Sequence, residues 1–158
     1  MLVYHYSAKP LKHFNRERHF RQLEVGQMKP PGFWVTSNDD DNWENWCRAE
    51  EYNVLGLRWR STFSMDGDSV KVIRDLNELL DFSEEFSYRM YLGGEYSDVR
   101  LINWLAVMQR WMGLYIDPHQ VTVRLSPEFL WYSVWDCASG CVWDLSALTL
   151  MGCEECVA

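Results

Sequence analysis

The chain has 158 residues, 47% of them hydrophobic and 15% aromatic, with 24% charged and a formal net charge of −8. That length fits one domain, 1–158, with a sizeable core, and the composition excludes a disordered chain or a small disulfide scaffold. The acidic balance speaks against general binding along a phosphate backbone, and no apolar run or leader-like N-terminus points to a membrane or export, so the reading is a cytoplasmic protein without a membrane partner.

Leu2 to Ser7 alternates apolar and polar residues and predicts a first strand, closed by the Lys9-Pro10 turn. In such a strand Val3, His5 and Ser7 share one face and Leu2, Tyr4 and Tyr6 the other. Leu11 to Val25 spaces Leu11, Phe14, Phe20 and Leu23 among charges, which predicts an amphipathic helix or a loose helical connection ending at Gly26. A Lys29-Pro30-Pro31-Gly32 turn then leads into Phe33 to Ser37, aromatic and β-branched, a second strand.

The polar run Asn38 to Asn42 can cap a helix, and Trp43, Trp46, Cys47 and Ala49 to Tyr52 follow at helical spacing. Trp34 on the strand and Trp43 or Trp46 on the helix can therefore wall one flat cleft, with the hydroxyls of Thr36 and Ser37 beside it. Such surroundings suit a planar heterocycle, since stacking supplies contact area and hydroxyls supply orientation. Nine tryptophans exceed what one cleft needs, and most of them belong to the core.

Further along, Asn53 to Phe63 and Val70 to Ile73 read as strands, and a helix begins at Asp75. Phe86 to Asp98, with Gly93, Gly94 and several tyrosines, reads as a loop near the cleft. Val99 to Met112 carries the clearest helical spacing. Leu114 to Pro118, Gln120 to Leu125, Phe129 to Trp135 and Cys141 to Asp144 complete the expected strands. Strands dominate and no βαβ rhythm repeats, so the fold class is α+β with a mixed or antiparallel core and two or three flanking helices. A carboxylate ending an apolar strand, as Asp144 does, is costly to bury unless it is used.

The five cysteines, an odd number in a chain with no export signal, read as free thiols. Cys137 and Cys141 with Cys153 and Cys156 nevertheless make a candidate set of four thiolates for zinc. Against that, the first two sit in an apolar segment where cysteine serves as a small hydrophobe, and the last two in a terminal tail.

Three pieces now stand in order: Tyr4-His5-Tyr6-Ser7-Ala8-Lys9-Pro10, Gly32-Phe33-Trp34-Val35-Thr36-Ser37, and a late strand ending in Asp144. This order resembles the ADP-ribosyltransferase fold, in the diphtheria-toxin and poly-ADP-ribose-polymerase branch with its histidine, tyrosine and glutamate signature. The first piece is similar to that family's Tyr-His-Gly-Thr strand and the second to its Gly-Phe-Tyr-x-Thr strand. The resemblance implies a core of two small packed sheets and a mono-ADP-ribosyltransferase that cleaves NAD and passes ADP-ribose to a protein or nucleic-acid acceptor, as a toxin, phage-encoded or defence protein does.

It also implies roles: His5, Tyr6 and Ser7 on the dinucleotide, Trp34, Thr36, Ser37, Trp43 and Trp46 around the nicotinamide, and His5 and Asp144 in catalysis. Tyr6 stands where the family has glycine, Trp34 where it has tyrosine, and Asp144 where active members have glutamate. Asp136 and Glu128 are the other choices for the acid. From a different class comes the reading of a non-catalytic acidic binding protein, a host-factor inhibitor or nucleic-acid mimic, with its tryptophans among Asp39, Asp40 and Asp41 exposed to the partner.

Overall fold

The first strand in the sequence becomes an inner strand of the sheet. β1 (Leu2–Ser7) pairs antiparallel with β2 (Phe33–Thr36) on one side and with β3 (Trp59–Met65) on the other. The computed structural model describes residues 1–21, 26–37 and 39–156. Beyond β3 lies the edge strand β9 (Leu148–Glu155), and beyond β2 come β8 (Ser139–Val142), β7 (Gly113–Ile116) and the short edge strand β4 (Lys71–Ile73). Among the described residues the sheet thus has seven strands, in the order β4-β7-β8-β2-β1-β3-β9. Only the β4–β7 pair among them is parallel.

The structure therefore has the expected α+β class with a mostly antiparallel sheet. In place of two small packed sheets stand this wide sheet and a separate two-stranded one, β5 (Ser87–Leu92) with β6 (Glu95–Ile102). The hairpin turns at Gly93 and Gly94, both at positive φ (62° and 95°), the backbone a two-residue hairpin turn demands. The expected loop over Phe86 to Asp98 is mostly this hairpin.

Helices are short. α1 (Trp43–Ala49) is capped by the Asn42 side chain, which accepts from the Asn45 amide, and α2 (Leu76–Phe86) by Asp75, which accepts from the Glu78 amide. α3 spans only Trp104–Met108 after its cap Asn103. The helical spacing over Val99 to Met112 is overridden at its start, because Leu101 and Ile102 pair with Tyr88 and Ser87 in the hairpin. Val54–Leu57 is a 3-10 turn before β3, and residues 120–125 form turns rather than a strand.

The expected strand Phe129 to Trp135 is instead 3-10 helical over Pro127–Val134, with a kink at Phe129, and is opened by a proline whose missing N–H costs nothing there. Its rings bury themselves rather than alternate, with Trp131, Tyr132 and Trp135 fully buried. The segment expected to be helical from Leu11 has only a turn at residues 16 and 17 within its described part, and residues 22–25 lie outside the described residues. Leu11, Phe14 and Phe20 are still used, as a cover over one face of the sheet.

The period of two in the strands sorts side chains into two cores. One face carries Val3, Phe33, Val35, Phe63, Met65, Tyr115 and Val142, covered by the N-terminal segment. The other carries Leu114, Ile116, Ile73 and Trp34, and packs on α2, α3, the hairpin and the Pro127–Val134 helix. Among the described residues no helix is long and apolar enough to cross a membrane.

Candidate functional site

A cleft of about 280 Å³ opens on the Trp34 face of β1, β2 and β8, where α1 meets the segment from Val134 to Ser139. Its formation follows from register. Tyr4 stands opposite Thr36, so Tyr4 and Tyr6 emerge on the same face as Trp34 and Thr36. Thr36 pairs in turn with Ser139, and these residues line the cleft with Trp43 from α1 and with Lys29, Asp136 and Cys137.

The Trp43 wall is fixed through a single hydroxyl. Thr36 Oγ1 donates to the Ala138 carbonyl at 2.8 Å and accepts from the Trp43 amide at 3.0 Å. Thr36 is buried, with its hydroxyl donating to one backbone partner and accepting from another, so it positions the helix and the 138 backbone. Trp43 stacks on Trp46 with centroids 5.1 Å apart and planes 15° from parallel, and Tyr52 meets both rings edge-on. Trp46 supports the wall from outside the cleft.

Tyr6 is held from the same helix. Its phenol donates to Glu44 Oε2 at 2.8 Å, and burial together with that carboxylate pushes its pKa well above the ordinary tyrosine value. Burial acts to raise Glu44, but hydrogen bonds from Tyr6 and Arg48 outweigh it and hold the carboxyl below the usual range. Tyr6, in place of the glycine of the resemblance, thereby becomes a wall. Trp34 leans edge-on against the buried Trp135 at 5.0 Å, and the Lys29 ammonium stands 4.7 Å from the centre of a Trp34 ring.

The structure divides the sequence-derived site residues. Tyr6, Trp34, Thr36 and Trp43 come together, and His5 borders the cleft. The His5 ring, however, belongs to the opposite face: it packs on Phe33 with centroids 4.1 Å apart, and its Nδ1 lies 2.8 Å from the Trp34 carbonyl. A carbonyl only accepts, so Nδ1 carries the proton. Burial lowers the pKa of this ring against the raising effect of that bond, which favours a neutral imidazole. Ser7 shares that face through its pairing with Trp59, and its hydroxyl donates to the Lys9 carbonyl. Ser37 is buried beyond the end of β2, where its hydroxyl accepts from the Asp39 amide.

Asp144 lies past the far end of β8 from the cleft. It is exposed and caps the short turn Leu145–Ala147, accepting from the amide and hydroxyl of Ser146. The carboxylate that lines the cleft is Asp136, which precedes β8 and is held by an ion pair with Arg124. Glu128 lines a different hollow with Arg100 and Phe129. Lys29, Cys137 and Ser139 join the site although no motif marks them for it, and so does Tyr4, which opens the first motif but carries no role in the resemblance; strand alternation groups Tyr4 with Tyr6, but only the register places both beside Trp34.

The four late cysteines do not gather. Cys141 on β8 and Cys153 on β9 are separated by β2, β1 and β3, about 19 Å at the usual strand spacing. Burial pushes the Cys137 thiol up to about 12. Among the described residues no three or more His, Cys, Asp or Glu side chains are grouped to hold a metal ion. No protein-family model, curated protein or solved structure matches the chain.

Proposed function

We propose that the chain binds the planar ring of a nucleotide in this cleft and, with NAD as that nucleotide, acts as a mono-ADP-ribosyltransferase. The observation that carries the reading is the convergence of Tyr4, Tyr6, Trp34 and Trp43 with one carboxylate, Asp136, in a single cleft. Aromatic walls supply stacking area and exclude water. Asp136 supplies negative charge where the ribose becomes positive as its bond to nicotinamide breaks. In that step the bonding pair leaves with the ring nitrogen, nicotinamide departs neutral, and an acceptor nucleophile bonds to the anomeric carbon and gives up its proton.

In this reading the acid is Asp136 rather than Asp144, and His5 serves the sheet. The test is incubation with NAD labelled in its adenylate half and a cell lysate. Release of nicotinamide together with a labelled macromolecule supports the transferase, and intact NAD after prolonged incubation with the folded protein rejects it.

A second reading, a non-catalytic acidic binding protein, is favoured by the surface beside α1. There Tyr52, Val54 and Leu55, after the end of α1, are 55%, 46% and 88% exposed, and Asp39, Asp40 and Asp41, before its start, are exposed as well. Loss of partner binding in Leu55→Glu, with no NAD turnover in the native protein, would favour it.

A further inference from the structure

The cleft is already engaged by one of the chain's own cations. The Lys29 ammonium sits over Trp34, and on the neighbouring wall the Arg60 guanidinium sits 5.1 Å from the Tyr4 ring centre. The face of an aromatic ring is its negative side, and a cation gains from lying over it, the more so where water is excluded. Tyr4, Tyr6, Trp34 and Trp43 bring four such rings to one cleft, Asp136 adds a carboxylate to its lining while paired with Arg124, and the whole chain carries −8. Each of these favours a positive guest over a neutral one of the same shape.

We propose that the cleft selects organic cations, planar N-alkylated heterocycles above all, and that Lys29 is a resident stand-in which such a ligand displaces. This rests on the reading that a planar ring enters the cleft, and it adds the charge of that ring. Lys29 suits a displaceable role. It is exposed, and its flexible stem recovers rotamer freedom once the ammonium swings into water. While the ammonium covers Trp34, a cationic ligand binds only the fraction of molecules in which it does not, and its apparent affinity falls by that fraction.

The test is a tryptophan-fluorescence titration with 1-methylnicotinamide, a planar cation, and with nicotinamide, its uncharged counterpart. It is run on the native protein, Lys29→Met and Trp43→Leu, each with its fold checked by circular dichroism. The native protein should prefer the cation by about tenfold. Lys29→Met should bind the cation severalfold tighter still, and Trp43→Leu should lose most of the preference although the overall charge is unchanged.

Equal affinity for the two rings overturns the proposal and leaves a ring-binding cleft standing. Weaker cation binding in Lys29→Met makes the lysine a contact rather than a competitor, and also overturns it. A preference that survives intact in Trp43→Leu assigns it to the general acidity of the surface, and the proposal falls in that case too. Binding of neither ring to Lys29→Met removes both this proposal and the nucleotide reading. Selective cation binding without NAD cleavage supports the proposal and removes only the transferase.

Discussion

The two faces of β1 and β2 are built from alternate residues of the same short segments and have opposite fates. On one face Val3, Phe33, Val35 and Phe63 pack with the His5 ring into a core closed by Leu11, Phe14 and Phe20. On the other, Tyr4, Tyr6 and Trp34 are left partly open, because α1 and the 134–139 segment cover that face only around a cleft. A side chain's chemistry does not by itself decide its use. A histidine within a motif that resembles a nucleotide-binding strand becomes part of a core, and tyrosines on either side of it become walls.

The largest test of this division is Phe63→Ala. Phe63 is fully buried and meets Phe14 and Phe33 edge-on, so its loss should cost about 3–5 kcal/mol in a denaturant titration. Ligand affinity of the molecules that remain folded should not change, and a parallel loss of affinity would mean that the two faces are not independent. Next comes a paired substitution. Asp136→Asn should lower NAD turnover by about a hundredfold or more with nicotinamide-ring binding largely kept, whereas Asp144→Asn, at the other end of β8, should leave turnover near the native rate. The reverse pattern would return the acid to Asp144.

A smaller effect is expected at the hinge between cleft and sheet. Thr36→Val keeps the shape but strands the Trp43 amide and the Ala138 carbonyl, at about 1–3 kcal/mol, and ring binding should weaken as Trp43 loses its anchor. The smallest belongs to His5. Its folded pKa is lowered, so the unfolded chain takes up the proton more readily. The stability contribution is whole above about pH 6.5 and is lost as pH falls through the folded value. His119, lowered in the same direction by burial, shares this window. Urea midpoints measured between pH 7.5 and 5 should therefore fall, and His5→Gln should flatten the decline without abolishing it.

Where pairing partners are near in sequence or a cap is written in the chain, the fold is legible. Leu2 to Ser7, Phe33 to Thr36 and the helices after Asn42 and Asp75 follow from alternation and capping. Where tertiary contacts compete with local spacing it is not. Leu101, Leu105 and Met108 have helical spacing, yet the hairpin claims the first of them, and the run of rings from Phe129 to Trp135 fits a buried 3-10 helix as well as a strand. At the site, the Trp34 and Trp43 pairing is readable because strand and helix are consecutive. Asp136 and Lys29 are not, because only the insertion of β8 beside β2 brings residue 136 to the cleft, and only the path of the turn before β2 lays the lysine on the indole.

The strand order also governs when the molecule can come into being on the ribosome. β1 must wait for its second neighbour, β3, which begins at residue 59, and the cleft floor arrives only with residues 134–139. Until β8 and β9 emerge, β2 and β3 present unpaired edges, a hazard for association between nascent chains. Synthesis cut short before Ser139 would yield no half-working product, so competence is acquired all at once, when β8 takes its place.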